Sequence, residues 1–171
     1  MVSHWVPLPK YASTGLAEHA NLIRTAAGQW VAFHFLYADC PCSLRILEHV
    51  LERSPQQCVH EHIVLIGGEN ELAARAQSHG YSVDHVSPEQ LKAQYGIEAA
   101  PLLAVVDPQR RVRYAGGYTA RKQVLDIQDL AIITDLMNGQ RVSTLPVYGC
   151  AVSKSLQEIV DPLGIKASSA D

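Results

Sequence analysis

Asp39-Cys40-Pro41-Cys42-Ser43 decides how this chain is read. Leading into it is the apolar run Val31-Ala32-Phe33-His34-Phe35-Leu36-Tyr37, whose near-continuous hydrophobicity marks a central strand covered on both faces. Leaving it is 44–53, where Leu44, Leu47, Val50 and Leu51 fall on one helical face and Arg45, Glu48, His49 and Glu52 point elsewhere. Strand, turn and helix together put two thiols at a helix N-terminus. Unpaired amides and the helix dipole favour a thiolate there. The residues point to thiol–disulfide chemistry.

Working outward, 1–11 reads as an extended lead-in that packs a tryptophan on the domain. Residues 13–28 read as a helix with Leu16, Ala20, Ile23 and Ala27 inward and Gly28 as its stop. On the other side the pattern predicts a strand over 62–66, a helix over 70–79 capped by Gly80, a strand over 81–86 and a helix over 88–95. Strands over 102–106 and 111–115 follow, joined by Asp107-Pro108-Gln109-Arg110. A helix over 125–138 then turns Leu130, Ile133, Leu136 and Met137 inward. The tail from Gly139 holds Pro146-Val147-Tyr148-Gly149-Cys150 and predicts a helix over 151–160. Strands alternating with helices, then a hairpin and a helix, give an α/β fold with a mixed sheet.

At 171 residues the chain can bury a core without relying on disulfides. A formal charge of -3 and the lack of any Lys/Arg cluster argue against nucleic acid and anionic membranes as partners. Four cysteines in this length do not make a disulfide scaffold, and only Cys40 and Cys42 are close. No apolar run reaches spanning length and no signal-peptide pattern opens the sequence, so direct membrane insertion by these residues is not expected.

The order of elements resembles the thioredoxin superfamily, closest to its membrane-tethered or periplasmic thiol–disulfide oxidoreductases. Three features carry the resemblance. One is the apolar strand ending in a cysteine pair that opens a helix. A second is Gly96-Ile97-Glu98-Ala99-Ala100-Pro101-Leu102-Leu103, similar to the family's loop with a cis-proline before a strand. The third is the hairpin from Ala104-Val105-Val106-Asp107-Pro108 through Val112-Arg113-Tyr114-Ala115-Gly116, followed by a last helix. The resemblance implies a thioredoxin-like fold, with a central mixed β-sheet flanked by helices. Residues 1–138 are expected to form that domain with its lead-in, and 139–171 a C-terminal extension packed on it.

One departure matters. The family places two residues between its cysteines, and this chain has only Pro41. A disulfide holds its Cα atoms within about 4.4–6.8 Å, which extended next-but-one residues approach or exceed. An inverse γ-turn at Pro41 is therefore expected, and the resulting bond is strained. A strained disulfide is easily reduced, which suits an oxidant or isomerase better than a reductant.

By the resemblance, Cys40 is the exposed attacking nucleophile and Cys42 the resolving thiol. His34, six residues before Cys40, takes the place of a buried acid that accepts the proton of Cys42; the alternative is a hydrogen-bonded core histidine. Pro101, if cis, sets the backbone of Ala100 beside the disulfide for a substrate strand. Asp39 either raises a neighbouring thiol's pKa or caps the helix. Cys150 precedes the expected tail helix; an incidental cysteine is the favoured reading there over a third redox thiol. Cys58, His60 and His62 alternate along a strand and read as strand-entry residues rather than a metal cluster. Tyr118, Arg121 and Lys122 read as solvated surface.

The leading function is thus disulfide exchange with protein thiols through Cys40 and Cys42, with no cofactor and an unidentified redox partner. The alternative is Cu(I) binding or metal-site assembly by the same two thiolates, with Cys150 or His34 as a third ligand. A thiol peroxidase ranks last, because no Pro-x-x-x-Thr/Ser-x-x-Cys spacing precedes Cys40. The branch resembled is extracytoplasmic, which sets the expected compartment against a cytosolic alternative.

Overall fold

The computed structural model of the chain describes residues 5–6, 16, 18, 28–122 and 126–161. In chain order its elements are β1 (Trp5–Val6), β2 (Trp30–Tyr37), α1 (Pro41–Arg53), β3 (Val59–Ile66), α2 (Asn70–Ser78), β4 (Ser82–Val86) and α3 (Pro88–Tyr95). There follow β5 (Ala99–Ala100), β6 (Leu102–Val106), β7 (Val112–Gly116), α4 (Asp129–Met137), β8 (Val147–Tyr148), β9 (Cys150–Ala151) and α5 (Lys154–Val160). The lead-in apart from β1, and the expected first helix apart from Leu16 and Glu18, lie outside the described residues, as does 123–125 of the expected 125–138 helix.

Among the described residues, five strands build the central sheet in the order β4-β3-β2-β6-β7. β2 runs parallel to β3 and antiparallel to β6; β3 and β4 are parallel, β6 and β7 antiparallel. Two short pairs stand apart, β1 with β8 and β5 with β9. This is the mixed sheet flanked by helices that the resemblance implies.

Strand alternation divides the core in two. Val31, Phe33 and Phe35 of β2 pack on one face with Leu91 and Tyr95 of α3 and Leu156 of α5. Ala32 and Leu36 pack on the other with Ile46, Leu47 and Val50 of α1 and Ile133 and Leu136 of α4. Phe33, Phe35 and Tyr95 are fully buried, and Tyr95 meets Phe35 edge-on at 5.1 Å between ring centres. Removing either phenylalanine side chain is expected to destabilise by about 3–5 kcal/mol. His34 alternates onto the α1 and α4 side, which sets up its polar partners below.

Several boundaries differ from expectation. In α1 Ile46 is buried and Leu44 exposed, because the apolar arc centres between residues 46 and 51. In α4 Asp129 and Ile132 are buried with Ile133 and Leu136, while Leu130 and Met137 are only half-buried. β3 begins at Val59. The tail helix begins at Lys154 rather than Ala151, since Cys150 and Ala151 are taken into β9. Ser153 caps that helix, its hydroxyl accepting from the Leu156 amide at 3.1 Å. No helix among the described residues is long and apolar enough to cross a membrane.

Candidate active site

β2 delivers the chain to the cysteines at the C-terminal end of the sheet, where α/β folds place their sites. Cys40 is the N-cap of α1 and Pro41 its first helical residue. A proline at this position loses no hydrogen bond and has φ set for a helix, so it initiates α1 rather than forming the expected γ-turn. Asp39 is exposed and does not cap; it is hydrogen-bonded to Tyr37. Cys42 lies in the first turn and is half-buried. All four cysteines are free thiols in this structure.

The sulfur of Cys40 is wholly buried, contrary to the exposed nucleophile expected from the resemblance. The cause is the tail. β9 lies antiparallel to β5 with Cys150 opposite Ala100, and this added strand roofs the site. The Ala100–Pro101 peptide is cis. Cys40 Sγ is 4.0 Å from the Ala100 carbonyl oxygen. Gly149 makes the close passage possible, because a Cβ there would stand 2.0 Å from the Ala100 oxygen. Gly117 does the same further back, where a Cβ would stand 1.8 Å from the Pro146 oxygen.

Three thiols converge here. Hydrogen bonds from Cys150 and then Cys42, with the Ser43 backbone amide, hold the Cys40 thiol far below its usual range despite burial. The two donors move the other way: hydrogen bonding to Cys40 and burial push the thiols of Cys42 and Cys150 well up. Among the three thiols Cys40 is thus the most acidic. Cys150 itself lies in β9, three residues ahead of the Ser153 cap of α5, and so is not at a helix terminus.

His34 is wholly buried, and both ring nitrogens are engaged: Nε2 with Glu61 Oε2 and Nδ1 with the Tyr118 hydroxyl, each at 2.9 Å. Glu61 is clamped by Arg53, whose Nε also donates to Asp129 Oδ2 at 2.9 Å. His49 Nε2 is 3.1 Å from Asp129 Oδ1. Burial pushes the Glu61 carboxyl up, but the hydrogen bonds from His34 and Arg53 outweigh this and hold it at about 2. Tyr118, read from sequence as solvated surface, is buried. With Cys42, Ile46, Pro101, Thr119, Lys122 and Tyr148 it lines a small recess. His34 therefore faces the recess only through Tyr118. No motif marks Tyr118; the nearest signal is the preceding Gly116-Gly117 pair, where a Cβ would meet the Leu145 and Pro146 carbonyls.

Cys58 is exposed at the entrance to β3, while His60 and His62 face the α3 side, their rings 6.2 Å apart. Among the described residues no three His, Cys, Asp or Glu side chains are grouped to hold a metal ion.

No protein-family model matches the chain, and no curated protein matches it. Solved structures do. A hypothetical protein from Sinorhizobium meliloti is similar over 74% of this chain and 80% of its own, with TM-score 0.54 and 19% identity. An uncharacterized conserved protein from Geobacillus kaustophilus covers 90% of this chain and 92% of its own, at TM-score 0.49 and 14% identity. A thioredoxin-like protein from Aeropyrum pernix covers 66% of this chain and 80% of its own, at TM-score 0.44 and 14% identity. At these identities the likeness concerns the fold alone, a mixed β-sheet flanked by helices.

Proposed function

We propose that the chain is a thiol–disulfide oxidoreductase acting on protein thiols through Cys40 and Cys42. The observation that supports this most is the Cys40 sulfur at the N-cap of α1, accepting hydrogen bonds from two further thiols. Starting from a Cys40–Cys42 disulfide, a substrate thiolate attacks Cys42 Sγ, the half-buried sulfur beside the recess. The bond between the cysteines breaks, and Cys40 leaves as the stabilised thiolate. A second substrate thiol then displaces Cys42, which leaves as a thiol, and the substrate departs as a disulfide. Two electrons pass from substrate to the pair.

A leaving thiol of low pKa accelerates the first attack, and a stabilised reduced form makes the pair oxidising. Proton traffic at Cys42 reaches His34 by way of Tyr118. Pro101 and Ala100 flank the reacting sulfurs. An unidentified partner recycles the pair. An extracytoplasmic setting, in the manner of the tethered oxidoreductases resembled, is part of the proposal and is supported by the persistence of cysteine pairs in oxidising compartments.

Turnover with a mixed-disulfide substrate tests the reading. Wild type is expected to exchange, and Cys40→Ser and Cys42→Ser to lose at least about a hundredfold in rate. Retained exchange in Cys40→Ser sinks it, as does stoichiometric Cu(I) uptake by a protein that exchanges nothing. The reduction potential is expected to lie above that of thioredoxin, about −270 mV; a lower value reverses the direction of electron flow.

A further inference from the structure

β9 meets the site as an added substrate strand meets a sheet edge, by backbone pairing next to the reactive sulfur. It carries a cysteine at the position that counts. Cys150 pairs with Ala100 of β5, whose carbonyl oxygen lies 4.0 Å from Cys40 Sγ. The tail is fastened on both sides of Cys150. Before it, Gly149 is fitted against the Ala100 oxygen. After it, the Val152 amide donates to the Glu98 carbonyl at 2.7 Å. The Glu98 carboxylate accepts from the hydroxyls of Ser153 at 2.6 Å and Ser155 at 2.8 Å, with Lys92 Nζ at 2.7 Å.

We propose that Cys150 is a second disulfide partner of Cys40 within the chain, so that one interior sulfur is shared between Cys42 and Cys150. The inference rests on the exchange reading above. Starting from the Cys40–Cys42 disulfide, the Cys150 thiolate attacks Cys40 Sγ. The Cys40–Sγ bond to Cys150 forms, and the bond to Cys42 breaks. Cys42 leaves as a thiolate and takes up the proton that Cys150 gave to solvent. No electron enters or leaves, so the step needs no further oxidant. The disulfide has moved from the recess to the tail.

The charge state of the cluster supports this order of events. In the reduced protein the Cys40 thiolate keeps the proton on Cys150. Once Cys40 is held in a disulfide, that negative charge is gone and Cys150 ionises more easily. The attacker is therefore released by oxidation of its target.

Oxidation of the full chain by oxidised glutathione, followed by acid quench, alkylation and mass-spectrometric mapping without reduction, tests the proposal. Wild type is expected to yield both Cys40–Cys42 and Cys40–Cys150, the second at roughly a tenth of the first or more. Cys42→Ser is expected to yield Cys40–Cys150 as its main product, because Cys150 displaces glutathione from Cys40. Gly149→Val, which forces β9 off Ala100, is expected to lower Cys40–Cys150 at least about tenfold while Cys40–Cys42 still forms. Wild type that forms Cys40–Cys42 with no Cys40–Cys150, or Cys42→Ser that keeps glutathione on Cys40, overturns the inference and leaves the exchange reading standing. Wild type that forms neither bond overturns the exchange reading itself.

Discussion

Cys40 draws its acidity from neighbours that lie both next to it and 110 positions along the chain. Cys42 and the first-turn amide of Ser43 belong to its own motif; Cys150 belongs to the tail. A hydrogen bond to a charged group is worth about 1.5–3 kcal/mol, equivalent to about one to two pH units in a thiol's titration. Cys150→Ala is therefore expected to move the thiolate absorbance of Cys40 upward by that much in a pH titration. An unchanged midpoint assigns the acidity to Cys42 and the Ser43 amide without Cys150. A thiol whose pKa is depressed on folding contributes its full stabilisation above the unfolded value of about 8.5 and loses it as the pH falls. Reduced wild type should thus gain on Cys40→Ala in denaturant titrations as the pH rises from about 6 to about 8. At this scale Cys40 and Cys42 were legible, because the chemistry lies in adjacent residues. Tyr118 was not, since its partner His34 is 84 positions away and nothing local marks a buried hydroxyl.

Between elements, the link from α1 to β3 and α4 is ionic. Arg53 is the cation between the buried carboxylates of Glu61 and Asp129. Arg53→Ala leaves both without it and is expected to lose about 3–5 kcal/mol in urea unfolding; a loss below about 1 kcal/mol would show that solvent enters to replace it. Both carboxyl groups titrate below their unfolded values, that of Glu61 at about 2. Their stabilisation is present above about pH 4 and is lost as the pH falls toward 2, so wild type should weaken steeply in that window and Arg53→Ala much less. The long elements were legible from periodicity, and α3 falls on the expected 88–95, opened by Ser87-Pro88 and a full capping box. β9 was not legible. Two residues have no period, and such a strand exists only because β5 is there to pair with it. Its sequence trace is Gly149, whose missing side chain marks a close passage of two backbones.

Across the whole molecule, a five-stranded sheet with two apolar faces carries a tail held by far fewer contacts. Hydrogen exchange should separate the two. Amides of β2, β3 and β6 are expected to exchange only with global unfolding, and the Val152 amide at least about a hundredfold faster through a small opening insensitive to denaturant. Equal rates would make the tail inseparable from the sheet. The element order was legible from strand-helix alternation, whereas the path of the tail depends on distant backbone fits that no pattern encodes. The pairing of β9 with Ala100 also bears on affinity. A partner strand that uses Ala100 meets a tethered competitor already in place. Its apparent dissociation constant is the intrinsic one divided by the fraction of molecules with that edge vacant, so about 1% vacancy weakens binding about a hundredfold. Affinity measured on the resting chain reports the departure of the tail as much as the fit of the partner.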